Sequence, residues 1–264
     1  MEGSQIHDRI RAQDQTSDTF GLSLTAGGKF DSYIVETISD TDTGGNNGDS
    51  VAYGLMSTYW QHKAGKNLGL RLGYSLYADF HNEFSDYNTI EHLFSIEPQW
   101  LMDNFIYSLP IRYSYAREDN RAKYHRYAVA PTLTYVMPDS NHAFEFFGTA
   151  AMIDDVNRFV AIDEDARVFG GGIGYLMFST TRTFFRLSCD YNRIYFDARG
   201  RDYLRTETSS KRQDEVLTFN ALHNIQINSY LDFNINYIFI HTDSNVAFYD
   251  YDKFIIQAGL KVNF

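Results

Sequence analysis

The chain has 264 residues, a net charge of -11 and one cysteine, Cys189. Phosphate binding needs a basic surface, so this balance argues against nucleic acid as a partner. A lone thiol excludes an internal disulfide and a cysteine-built zinc site, and it reads as a small packed residue in a strand. Aromatics make up 16% of the chain, with 20 Tyr and 21 Phe. Mean hydropathy is nevertheless -0.38, and no apolar run approaches the ~18 residues of a membrane-spanning helix.

Residues 1–17 read as a polar, loosely ordered leader. Met1-Glu2-Gly3-Ser4 does not open a signal peptide, so the expectation is a mature or cloned form of an exported protein. From Phe20 onward the dominant period is two. Strands are predicted over 19–33, 51–63, 68–81, 89–100, 105–116, 124–136, 143–153, 167–178, 183–196, 215–227, 230–241 and 252–264. The clearest is 105–116, where Phe105, Tyr107, Leu109, Ile111, Tyr113 and Tyr115 share one face. Ser108, Pro110, Arg112 and Ser114 share the other. Such alternation marks a strand with two unlike faces, because successive side chains point to opposite sides. The second strand phases either way. The eighth is weakened by Gly170-Gly171-Gly172 and Gly174, where a neighbour can approach the backbone closely.

The connections alternate in length. Short turns fall at 64–67, 102–104, 138–141, 180–182 and 228–229. Longer polar segments fall at 37–50, 83–88, 117–123, 154–166, 197–214 and 243–251. Trp60, Trp100, Phe105, Tyr135, Phe185, Tyr230 and Phe264 cluster near the short turns. Apolar-out, polar-in strands, sorted loops and an aromatic girdle together describe a transmembrane barrel of a bacterial outer membrane. The expected fold is therefore all-β: a twelve-stranded antiparallel up-and-down transmembrane β-barrel over 18–264. Both termini are expected in the periplasm, and outer-membrane lipid around the wall.

The end of the chain resembles the signal read by the barrel-assembly machinery, an expected partner during biogenesis. Phe264 is the terminal aromatic, Val262 and Leu260 occupy the alternate positions before it, and Gly259 lies further back. The stretch 242–253, with Asp243-Ser244-Asn245 and Phe248-Tyr249-Asp250-Tyr251-Asp252-Lys253, resembles the C-terminal barrel of the surface lipoprotein assembly modifiers and related tetratricopeptide-barrel proteins. Gly27-Gly28-Lys29-Phe30-Asp31-Ser32 is similar to the opening strand of that family. The tetratricopeptide helical domain is missing. The resemblance implies a role in moving or displaying material at the cell surface, with a periplasmic or surface protein as partner.

Alternation points Arg71, Arg112, Arg126, Arg186 and Lys261 into the barrel, with Glu91, Glu97, Glu145, Asp190 and Asp232. A charge facing lipid costs about 2–4 kcal/mol near the midplane for a basic residue. Two readings follow: a salt-bridged filling that braces the wall, or a polar pathway whose field selects solutes. Arg126 and Glu145 are expected within reach of each other. His92 and His223 fall on the outward face with no serine in a nucleophile motif beside them, so no enzyme and no cofactor are expected. The acidic groups Asp154, Asp155, Asp163, Glu164, Asp165 and Asp40, Asp42, Asp49 match no calcium-loop pattern and read as solvated surface, not metal sites. The leading function is a transport or secretion barrel. The alternative is a structural or adhesive barrel with a closed lumen, and the least favoured is a lipid hydrolase.

Overall fold

A computed structural model describes residues 18–32, 48–119, 121–156, 165–180, 182–201, 207–246 and 249–264. The leader, Asp40, Asp42, Asp163, Glu164 and Phe248 lie outside the described residues. The strands are β1 (Asp18–Asp31), β2 (Asp49–Lys63), β3 (Leu68–His81) and β4 (Thr89–Met102). Next come β5, in two segments (Phe105–Ser108 and Ile111–Glu118), and β6, also in two (Arg121–Val129 and Thr132–Val136). The rest are β7 (His142–Asp155), β8 (Ala166–Thr180), β9 (Thr183–Arg201), β10 (Glu207–Gln226), β11 (Leu231–Ser244) and β12 (Tyr251–Asn263).

Each strand pairs antiparallel with its sequence neighbours, and β1 pairs with β12 from Ser23↔Asn263 to Asp31↔Ile255. The ladder segments therefore close into one twelve-stranded barrel. Closure leaves no strand edge unpaired, which a bilayer requires.

The register fixes the faces. On β1 the even residues point out, with Phe20, Leu24 and Phe30 exposed; on β9 the odd residues do, with Leu187, Tyr191 and Tyr195 exposed. Phe20 lies opposite Trp60, the Trp100 and Tyr107 rings are 5.3 Å apart and those of Phe105 and Tyr135 are 5.0 Å apart. These rings mark the end of the barrel that carries the tight turns. There Asp103 and Asp139 adopt positive φ, a conformation aspartate tolerates because its side chain bonds locally.

Two segments expected as long loops are mostly strand. At 117–123 the chain turns over Asp119 (φ 44), and β9 and β10 extend through much of 197–214. Beyond the lipid belt both faces of a ribbon meet water, so the hydrophobic alternation that signals a strand is absent.

The interior is graded. Toward the turn end Val136 and Ala143 are buried against Ile106, Leu176 and Phe178. Toward the loop end the buried residues include Asp31, Asp49, Asp79 and Asp214.

Candidate functional site: the barrel interior

The loop end holds paired charges. Lys29 Nζ donates to Asp79 Oδ2 (2.7 Å) and to the Tyr77 hydroxyl (3.1 Å), and Asp79 Oδ1 accepts the Thr89 amide. Lys253 pairs with Asp31 at 2.8 Å. Arg212 pairs with Asp214, which also accepts the Ser244 hydroxyl at 2.6 Å, while the guanidinium lies 3.5 Å over the Tyr249 ring. Asp49 bonds His81 Nδ1 at 3.1 Å and accepts the amides of Glu83 and Phe84. Each buried carboxylate thus has the partners that its desolvation demands.

Midway down, two walls differ. On the β7–β9 wall, Arg186 Nε donates to Glu145 Oε2 at 2.8 Å. Those residues belong to strands on either side of β8, and the pair crosses β8 at Gly174. A Cβ there would stand 2.9 Å from that carboxylate oxygen. Gly172 is similarly covered, with the Phe147 ring 2.7 Å from where its Cβ would be. Glycine is used here to let long side chains lie flat across the backbone. Asp190 is held by the Asn192 amide at 2.7 Å.

On the β3–β6 wall, three guanidiniums face inward without a salt bridge among the described residues: Arg71, Arg112 and Arg126. Arg71 lies 4.2 Å from the Tyr59 ring centroid. Arg112 points inward, yet solvent reaches it, and it feels both the attraction of Glu97 and the repulsion of Arg126. Arg126 Nε is buried with no hydrogen-bond partner. Of the local carboxylates, Glu97 lies opposite Arg71 in the ladder and accepts the Gln99 side-chain amide at 2.8 Å.

A family model covers residues 85–252, from within the β3–β4 connection to the first residues of β12. The chain belongs to the DUF481 family, described as proteins of unknown function. No curated protein matches it in sequence. Among solved structures, the COG4313 outer membrane channel from Pseudomonas putida F1 superposes with a TM-score of 0.65 at 9% identity, over 94% of this chain and 96% of that one. The NanC porin gives 0.52 at 8% identity, over 91% and 98%. At such identities the likeness is one of fold, that of an outer-membrane barrel. The resemblance of the closing segment to the surface lipoprotein assembly modifiers gains no support from these matches.

Within the DUF481 barrel, the strand phase puts Arg71, Glu91, Glu97, Arg112, Arg126, Glu145, Arg186, Asp190, Asp232 and Lys261 on the inner face. Asp232 lies opposite Lys261 and accepts from the Asn263 amide at 2.9 Å. Arg126 and Glu145 do not meet: Arg126 is opposite Ile153 and Glu145 opposite Thr134, because the constant register of the β6–β7 hairpin sets them at different levels of the wall. Asp49 is fully buried, not solvated. In the final strand Leu260 and Phe264 point outward and are exposed, Gly259 lies against the Tyr53 ring, and the Phe264 amide bonds the Leu22 carbonyl at 2.9 Å.

Sequence reasoning missed the loop-end pairs. Lys29 and Asp31 share the inner face of β1, and Tyr77 and Asp79 that of β3, so alternation carried the signal. The two outward histidines are engaged: His92 Nδ1 with the Tyr74 hydroxyl at 3.0 Å, and His223 stacked on Phe185. Among the described residues no group of three or more His, Cys, Asp or Glu is placed to hold a metal ion.

Proposed function

We propose that this DUF481 barrel is a narrow, non-enzymatic channel of the bacterial outer membrane, with both termini periplasmic, that favours small anionic solutes. The observation that carries the reading is the contrast inside the lumen. Most charges at the loop end and the Arg186–Glu145 pair are matched in salt bridges, whereas Arg71, Arg112 and Arg126 make none among the described residues and outnumber Glu91 and Glu97 on their side. In a confined polar lumen such a field raises the local concentration of anions. The likeness in fold to an outer membrane channel and a porin is consistent with it. Export of surface material, implied by the closing segment, requires a partner that threads or delivers the cargo.

A second reading has its own support: the paired loop-end charges would suit a closed, braced barrel that acts through its loops. Planar-bilayer recording separates the two. The channel reading expects discrete conductance steps and a reversal potential favouring chloride over potassium in a salt gradient. Replacing both Arg112 and Arg126 with alanine should move that potential toward or past zero. A barrel that inserts but passes no current belongs to the second reading.

A further inference from the structure

Only 4 prolines occur in the chain, and three stand at one level of one wall. Pro98 is in β4, Pro110 interrupts β5 and Pro131 interrupts β6. The Leu109 amide bonds the Pro98 carbonyl (3.0 Å), the Ala130 amide the Pro110 carbonyl (2.9 Å) and the Gly148 amide the Pro131 carbonyl (2.9 Å). In an antiparallel pair of this kind, each residue returns the bond through its own amide. Proline has none. Three successive junctions, β4–β5, β5–β6 and β6–β7, therefore hold one bond where a regular ladder holds two. Thr132 Oγ1 caps the Ala130 carbonyl at 3.2 Å, a local substitute for the missing donor.

Directly above this seam the outer wall is concave. A groove of about 930 Å³ lies there, walled by Phe94, Ile96, Ile111, Tyr127 and Met152, within the ~300–1,000 Å³ typical of ligand pockets. The outward residues of β7 at its centre are small, Gly148 below and Ala150 on the floor. The groove is continuous with the apolar belt that lipid covers. Arg112, whose side chain is on the opposite face of the same wall, and the outward-facing Arg167 are among the residues at its edge, and Arg126 is on the strand next to Arg112.

We propose that this wall is a side port for an amphiphilic anion: its charged head is held inside by Arg112 and Arg126, and its alkyl tail passes the proline seam into the outer groove. The occupant follows from the two faces, since only a molecule with an anionic end and a saturated tail satisfies both. The proposal rests on the channel reading and narrows its substrate class.

The test is block of chloride current by alkyl sulfates from butyl to decyl, kept below micellar concentration, on the whole barrel in planar bilayers. At ~0.8 kcal/mol per buried methylene, block should tighten about fourfold for each carbon the groove accepts. Ile111 and Val129 are opposite each other in a non-hydrogen-bonded pair, whose close Cα spacing suits a disulfide. Carrying I111C and V129C in a C189A background, the oxidised barrel should keep its chloride current and lose the chain-length dependence, and reductant should restore it. Ala150→Phe, which fills the groove without a crosslink, should weaken decyl sulfate at least tenfold and leave butyl sulfate unchanged. Equal block by butyl and decyl sulfate, or undiminished decyl block in the oxidised barrel, overturns the port alone. Absence of chloride current in every form overturns the channel reading and the port together, so the two failures are distinguishable.

Discussion

The β7–β9 wall and the β4–β6 wall use the two residues most often regarded as strand breakers, in opposite ways. Glycine on β8 subtracts volume. It leaves the ladder whole, with β8 in continuous register with β7 from Ala166↔Ile153 to Met177↔His142, and opens a shelf on which Arg186 and Glu145 can meet. Proline on β4, β5 and β6 subtracts donors. It leaves bulk in place but halves the bonding at three junctions, beside arginines that make no salt bridge among the described residues. One wall is closed by its own side chains, the other is open to solvent inside and thinly bonded through its backbone. Rigid and yielding sectors can thus share one barrel without any change of strand number.

The contrast is most easily broken from the glycine side. Gly172→Val would drive a branched side chain into the Cys189 carbonyl, the Asp190 side chain and the Phe147 ring. Overpacking of this kind costs about 1–3 kcal/mol or more, so the folded fraction after refolding into detergent, read by heat-modifiable gel mobility, should fall sharply. Normal folding would mean that the shelf is not tightly filled.

Next in size is the pair across β8. Glu145→Gln leaves Arg186 without its salt-bridge partner. Chloride preference should rise several-fold in the reversal-potential measurement, and urea stability should fall only modestly because a hydrated lumen screens the loss. The same swap at Glu97, which makes no salt bridge among the described residues and lies on a wall where three arginines already set the field, should change selectivity in the same direction but less. Equal shifts would erase the distinction between the walls.

The smallest effect is expected at the seam. Pro110→Ala restores an amide opposite the Ala130 carbonyl, a bond worth about 1 kcal/mol net. The looser unfolded chain loses roughly 0.4–1 kcal/mol in return. Global stability should therefore hardly move, while hydrogen exchange of the Leu109 and Ala130 amides slows. Unchanged exchange would show that the seam is as firm as its neighbours.

Alternation made the twelve crossings legible because a lipid-facing wall forces period two on every strand it touches. It failed where that force stops. The water-exposed ends of β9 and β10 carry no apolar face and were expected as loops. The phase of β2 was open because Ala52, Gly54 and Thr58 on its outward face are small or polar; it is settled by Tyr53, which lies over Gly27 and Gly259, and Tyr59, which lies over Gly21. Inward placement of Arg126 could be read from one strand, but its partner could not, since pairing depends on the register between strands. The alignment of Pro98, Pro110 and Pro131 was hidden for the same reason: they are 12 and 21 residues apart along the chain and become neighbours only once the register is known.

The ribbon formed by the far ends of β9 and β10 has a consequence of its own. Those strands span 19 and 20 residues, against the ~9–11 a tilted crossing needs, so their tips stand clear of the membrane. A two-stranded ribbon in water contributes little to holding the wall shut, while below it every rung from Thr183↔Ile225 to Tyr195↔Gln213 remains. A cut at the tip would divide the polypeptide into a nine-stranded and a three-stranded piece without severing any rung. The molecule can therefore be made as two separately synthesised pieces that recognise each other through their ladders, a split barrel whose reassembly reports on how such a wall finds its own closure.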